Sequence, residues 1–457
     1  MNRETYQSPL ATRYCSEEMR RLFSDQFKYT TWRRLWVALA EAQKELGLPI
    51  TASQIKELKE NVDKIDFDAV EAYEKELHHD VMAHIRAYSD LCPQAGAIIH
   101  LGSTSCYVTD NADLLQMKEG LLLLVKRLKS VISSLSKLAE KTKALPCLGY
   151  THYQPAQLTT VGKRFCLWIQ DLKIDLSELE GRLNGLKFLG AKGATGTQAA
   201  YLDLFEGNAE KVRKLDALIA SKMGFEAVYP ISGQTYTRKL DALILSSLAS
   251  LASSLHKMGT DLRLLAHDGE ILEGFGENQV GSSAMPYKRN PMLAERVCSL
   301  SRFLIALSEN GSYTHATQWL ERSLDDSANR RLTLSESFLA TDALLMTAEK
   351  LVGGLVINEG VIAAQVSKHL PYIATEMVLM EAVKKGGDRQ ALHEKLRKHS
   401  HQAASEVKPG DKNPLLKLIA EDPAFPFTME ELLNLMKPER FIGLAAEQTE
   451  RFLNEDS

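Results

Sequence analysis

Apolar residues in the middle of this chain recur every three and four positions over unusually long distances. Leu114, Met117, Leu121, Val125, Leu128, Ile132, Leu135 and Leu138 form one series, opened by a capping-box-like pair, Asp110 and Asp113, and closed by Pro146. Leu158, Val161, Phe165, Trp168, Leu172, Leu176, Leu179, Leu183 and Leu186 form a second, between Pro155 and Gly190. Ile244, Leu248, Leu251, Leu255, Met258, Leu262 and Leu265 form a third, ending at Gly274 and Gly276. Two shorter helices are predicted from Pro291 and from Arg331. A helix of about 35 residues is roughly 50 Å long and needs partners of similar length, so the pattern predicts an antiparallel bundle. Leu121 to Leu124 are apolar nearly all round the helix, which points to a bundle core shared between subunits, with a monomeric bundle as the alternative.

Residues 1–104 read as an N-terminal helical domain, with WRRLWVALAEAQKELGL its clearest amphipathic helix. Residues 105–357 hold the long-helix bundle. Residues 358–457 read as a C-terminal helical domain carrying Ile362, Val366, Leu379, Leu392 and Leu396, broken at Gly386 and Pro409. Strand signals are sparse, and the predicted fold class is all-α with three helical domains.

The formal net charge of -4 over 457 residues argues against generic nucleic-acid binding, so an anionic ligand has to be met by a local cluster of cations. Six cysteines without a CxxC pair or regular spacing indicate neither a zinc ribbon nor a disulfide framework. The longest apolar run, Leu121 to Val125, is far too short to span a bilayer, and the N-terminus has no apolar core. A cytoplasmic protein with reduced thiols is expected.

Three segments carry candidate chemistry. GSSAMPYKRNP, from Gly281 to Pro291, combines flanking glycines, Lys288 and Arg289 with a helix start at Pro291, an arrangement suited either to holding a carboxylate or phosphate or to a solvated basic turn. In GYTHYQPAQ, His152 lies in a loop before Pro155; a lone histidine of this kind is more often structural. ERSLDDSANRR offers Arg322, Arg330 and Arg331 with Ser327 and Asn329 to a phosphate, unless Asp325 and Asp326 neutralise them in an ion-pair network. Ser282 and Ser283 fit neither GxSxG nor SxxK, which disfavours acyl-enzyme chemistry. GAKGATGT lacks the GK[ST] ending of a P-loop and reads as a glycine-rich turn, and the histidines of LHHDVMAH lack the HExxH spacing of a metal site.

Taken together, these segments resemble the fumarase/aspartase superfamily, whose loop signature is GSSxMPxKxNP, and within it the adenylosuccinate lyases of the animal-like type. SPLATRYCSEEM, HHDVMAH, HLGSTSCYVTDN, THYQPAQLTTVGKR, KGATGTQ, SGQTYTRK and ERSLDDSANRR carry the closer resemblance, from Ser8 to Arg331. Small departures occur near Ser103, where alanine is expected, and at Leu293-Ala294, where a more polar pair is expected.

The resemblance implies C–N elimination of fumarate from adenylosuccinate and from succinylaminoimidazole carboxamide ribotide, which needs one base and one acid on opposite faces of the bond. By that resemblance Ser282 is the base and His152 the acid, with Lys288 stabilising developing negative charge and His79 and Asp80 as a supporting pair. Thr104 and Ser105 resemble the succinyl-carboxylate contacts, and Gln234 faces the substrate. Arg13, Tyr14, Arg322, Ser327 and Arg331 resemble the phosphate and ribose contacts, and Arg296 with Glu295, Ser283 and Asn290 braces the loop. It also implies a homotetramer in which three subunits contribute to each active site, with no organic cofactor or metal. An argininosuccinate lyase-like enzyme and a non-catalytic structural protein on the same scaffold are the alternatives; the arginines of ERSLDDSANRR and SGQTYTRK argue against the first.

Overall fold

Five long helices dominate the chain: Ser105–Lys141, Val161–Asn184, Lys239–His267, Met292–Ala316 and Asp326–Gly353. The computed structural model describes residues 4–276, 284, 285, 287–406 and 413–455. Within them the fold is all-α apart from two two-stranded sheets. Contacts divide the chain into two units, the first of residues 1–129, 174–256 and 296–347, the second of residues 130–173, 257–295 and 348–457. Each long helix has residues in both.

Four expectations about these helices change. The first helix starts at Ser105, where the Thr104 carbonyl accepts the Tyr107 N–H at 2.9 Å, so Asp110 and Asp113 lie inside it and cap nothing. The second starts at Val161, because Gln154–Thr160 is a strand paired antiparallel with Pro146–Thr151. The two helices expected to be shorter have 25 and 28 residues, against 24 and 29 for the second and third. The last begins at Asp326, ahead of Arg331, and every residue from Ser337 to Leu345 is buried, so that stretch has no polar face for a periodicity to mark.

In the first unit, Asp25–Glu45 is capped by the Ser24 hydroxyl and buries Trp32, Leu35, Trp36 and Leu39. The three histidines of LHHDVMAH do three different jobs. His78 ends the Phe67–Leu77 helix at φ 50°, His79 caps Asp80–Leu91, and His84 is buried 3.8 Å from the Tyr29 ring, its pKa pushed down to about 4 by burial. No helix among the described residues is long and apolar enough to cross a membrane, and none of the six cysteines is in a disulfide.

In the second unit, the C-terminal helices pack Val378, Leu392, Leu396, Leu415, Ile419 and Leu432 into one apolar cluster. Asp422 ties its edge together, accepting from Lys395 Nζ at 2.8 Å and from the Ala424 N–H at 2.9 Å, with His399 Nε2 at 2.9 Å. Burial raises the Asp422 pKa, but the Lys395, Ala424 and His399 hydrogen bonds outweigh it and bring the carboxyl down to about 2. A depressed carboxyl stabilises the fold above its unfolded pKa, and that contribution is lost as pH falls toward 2. Asp422→Asn is expected to cost about 1–3 kcal/mol of local stability at pH 7, read as faster amide exchange in Arg389–Glu406, with the gap from wild type closing below about pH 4.

Candidate active site

A cleft of about 710 Å3 opens in the first unit and gathers residues far apart in sequence. Seven of the expected site residues line it: His79, Asp80, Ser105, Gln234, Arg322, Ser327 and Arg331. His79 sits at the start of its helix, where Nδ1 accepts the Met82 N–H at 3.4 Å. That bond requires a lone pair on Nδ1, so the neutral ring carries its proton on Nε2, which lies 3.5 Å from Ser105 Oγ. Asp80 accepts from its neighbour Val81 N–H at 2.7 Å and from Arg331 Nη2 at 3.0 Å.

Gln234 is held from three sides. Its backbone N–H donates to Glu321 O at 3.1 Å, its Nε2 to Ala194 O at 3.2 Å, and its Oε1 accepts from Cys106 Sγ at 3.3 Å. The Ala194 carbonyl belongs to the glycine-rich turn expected at GAKGATGT. There Gly196 adopts φ 81°, and a Cβ on it would lie 1.9 Å from Ser232 O, so only glycine lets the turn reach the Gln234 segment. Ser103, the departure noted in the sequence, is used to hydrogen-bond the buried Tyr201 hydroxyl at 2.6 Å.

The floor of the cleft is an ion-pair network; Asp326 takes part in it, as the alternative reading of ERSLDDSANRR has it, but the network is buried and also draws in Asp110, Asp113 and Asp241. Arg238 is buried and bonds Asp110 through Nη1 and Asp326 through Nε, both at 2.7 Å. Arg330, also buried, reaches Asp241 at 2.7 Å and Asp113 at 2.9 Å. Burial raises the Asp110 pKa, but Arg238 and Arg330 outweigh it and hold it below the usual carboxylate range; at Asp113 burial wins and the pKa rises. Arg322 is bound to Asp326 at 2.8 Å with its side chain still partly open to the cleft. Of the arginines offered for a phosphate in ERSLDDSANRR and SGQTYTRK, Arg238 and Arg330 are therefore committed internally, and Asn329 bonds Thr314 and Asn310. Arg322 and Arg331 remain at the cleft, joined by Lys28, which sequence reasoning missed.

Arg13, Tyr14 and Arg296 form a separate group in the first unit. Tyr14 ends a short π-helical turn, and its ring receives Arg13 at 5.8 Å and Arg296 at 5.5 Å. Thr104 directly precedes Ser105. None of these four is among the described residues that line the cleft.

His152, Lys288, Asn290 and Glu295 belong to the second unit. His152 stands with Tyr153 at the tip of the hairpin, exposed, with φ values of 51° and 58°. A two-residue turn with both residues left-handed matches the twist of antiparallel strands and holds His152 outward at some backbone strain. Arg164 anchors the hairpin from below by donating to Leu148 O. Lys288 is exposed, its N–H bonded to Met285 O at 3.0 Å; Asn290 O accepts from the Met292 N–H at 2.9 Å; Glu295 is exposed in the first helical turn after Pro291. Ser282 and Ser283 lie outside the described residues.

The helix N-terminus after Pro291 does not present the free anion site that GSSAMPYKRNP suggests. Glu273 already fills it, accepting from Leu293 N–H at 2.9 Å and Ala294 N–H at 2.7 Å. The side chain at 294 is buried, which accounts for alanine where a polar residue is expected.

Against solved structures, the fold matches a fumarate lyase from Mesorhizobium sp. BNC1 at TM-score 0.83 and 22% identity, covering 99% of this chain and 100% of that one. It also matches 3-carboxy-cis,cis-muconate lactonizing enzyme from Pseudomonas putida at TM-score 0.85 and 22% identity, covering 98% of each. A family model described as lyase spans residues 12–303. Fold and family model together define a lyase. A second model, described as adenylosuccinate lyase C-terminus, spans residues 371–452. Adenylosuccinate lyases of Saccharomyces cerevisiae and Schizosaccharomyces pombe are 46% and 48% identical to this chain, covering 99% of it and 95% of each relative. That of Schistosoma mansoni is 47% identical with the same coverage. The chain belongs to the adenylosuccinate lyase family.

Glu273→Ala is expected to cost about 0.5–2 kcal/mol at the start of Met292–Ala316 and to speed exchange of the Leu293 and Ala294 amides, leaving the far end of that helix unchanged.

Proposed function

We propose that this chain eliminates fumarate from adenylosuccinate, leaving AMP, and from succinylaminoimidazole carboxamide ribotide, leaving aminoimidazole carboxamide ribotide, two steps of purine nucleotide synthesis. The observation that carries this reading is 46–48% identity to adenylosuccinate lyases over 99% of the chain. The C-terminal match favours adenylosuccinate over argininosuccinate, a distinction that the arginine-rich segments support less once Arg238 and Arg330 are seen to be buried.

The reaction removes a weakly acidic proton from the carbon beside a carboxylate and protonates the nitrogen leaving the adjacent carbon. In this reading Ser282 takes the carbon-bound proton and His152 delivers a proton to the nitrogen. Lys288 lowers the energy of the serine oxyanion or of the carbanion, and the substrate's own carboxylate shares that charge. Thr104 and Ser105, at the positive end of a helix, meet the succinyl carboxylates, and His79 donates from Nε2 beside Ser105. Gln234 orients the substrate. Arg322, Ser327 and Arg331 take the phosphate and ribose with Arg13 and Tyr14, while Arg296, Glu295, Ser283 and Asn290 brace the loop. Neither an organic cofactor nor a metal enters these steps.

The reading includes a cytoplasmic homotetramer with three subunits at each active site, and a division of the chain into residues 1–104, 105–357 and 358–457. Large apolar side chains left exposed along the long helices support a shared bundle: Leu122 at 43%, Leu167 at 51%, Ile174 at 60% and Phe303 at 45%.

The purified protein is expected to release fumarate from adenylosuccinate and none from argininosuccinate; the reverse result, or silence on both, sinks the reading. Ser282→Ala and His152→Gln are each expected to lower kcat by about a hundred- to thousandfold or more with substrate binding retained, checked by turnover and by binding in the same preparations.

A further inference from the structure

Arg238 is only 2% exposed, lies on the floor of the cleft, and joins two of the walls that line it. Its Nε bonds one oxygen of Asp326, and the other oxygen of Asp326 bonds Arg322 Nη1 at 2.8 Å. Its Nη1 bonds Asp110, whose second oxygen accepts from the Thr109 hydroxyl at 3.1 Å; that hydroxyl lies 3.3 Å from the Ser105 carbonyl. The Tyr236 ring lies 4.7 Å from the guanidinium carbon and limits how the group can turn. Arg330 supplies the neighbouring positive charge and answers Asp241 and Asp113, so it takes neither of the carboxylates bonded to Arg238.

We propose that Arg238 is a positioning residue for nucleotide binding, acting through Asp326 to aim Arg322 into the cleft and through Asp110 to hold the first turns of Ser105–Lys141 beside it. The proposal rests on the function given above, in which Arg322 meets the phosphate. Stability alone is a poor reason for the arrangement, since buried ion pairs are often matched or bettered by well-packed apolar residues. An apolar replacement cannot fix the direction of a third, partly exposed guanidinium. Asp326 can, because each of its oxygens has one cationic partner, and Arg322 cannot swing away without leaving one oxygen unanswered. Lysine at 238 keeps the charge but presents a point donor in place of the planar fork, and so does not hold both carboxylates in their present places.

The test is a double-mutant cycle on the full-length protein, with adenylosuccinate turnover and AMP inhibition as readouts. Arg238→Lys is expected to raise KM and the AMP inhibition constant about tenfold or more while kcat falls less. In an Arg322→Gln background the same change is expected to add no more than roughly twofold, because the group it positions is already gone. A purely structural role moves thermal stability and gives equal factors in both backgrounds, and that result overturns the proposal. Should Arg238→Lys fail to fold, Asp326→Asn, which keeps volume and one acceptor, takes its place in the cycle; a wild-type KM for that variant overturns the proposal equally. Turnover by wild type with additive variants removes this proposal alone, whereas no turnover by wild type removes the function and the proposal with it.

Discussion

Two buried guanidinium groups must each be matched by carboxylates, and that requirement fixes how the first unit's long helices meet. Arg238 and Arg330 draw Asp110 and Asp113 from one helix, Asp241 from a second, and Asp326 from the start of a third. Leucine stripes tolerate sliding by a turn, because one apolar contact is much like the next. A buried charge does not, since losing its partner costs about 3–5 kcal/mol. The network therefore sets rotation and register in a bundle whose apolar core alone leaves both loosely determined, and the cleft lies over this most constrained part of it.

The same logic operates with single groups in the second unit. Glu273 answers two N–H groups that a helix start cannot satisfy internally. The hairpin at Pro146–Thr160 needs a sharper device. Gly149 sits at the register shift between Leu148 and Tyr150, where a Cβ would lie 2.8 Å from the Gln157 carbonyl, and His152 and Tyr153 accept left-handed backbone to close the turn. The strained two-residue turn fixes the direction of the His152 Cα–Cβ bond while its exposed ring can still change rotamer.

What was legible in the sequence follows from these constraints. Long apolar stripes gave the helices and the all-α class because solvent marks one face of each. Where solvent is absent, as along Ser337–Leu345, the stripe disappears and the helix start was misplaced. The hairpin was missed because QPAQLTT continues a spacing of apolar residues into Val161, and His-Tyr lacks the glycine or asparagine that usually announces such a turn. Most of the cleft was found through resemblance to a family, not through spacing. Asp110 and Asp113 were read as a cap because acidic residues near a helix start usually are one; nothing local reveals that their partners lie more than a hundred residues away.

Arg330 and Arg331 show why a motif does not by itself assign roles. Adjacent residues on a helix point about 100° apart, so one turns into the unit and is consumed by Asp241 and Asp113 while the other faces the cleft and meets Asp80. Both line one cleft, the first bound among buried carboxylates and the second largely exposed. A protein with this fold but only 22% identity is named a lactonizing enzyme, so the helical frame does not decide the reaction. Under the proposed function, substrate choice turns on which cations keep donors open to the cleft despite their ion pairs: a frame that buried Arg322 and Arg331 as fully as Arg238 would have the same shape and no place for a phosphate.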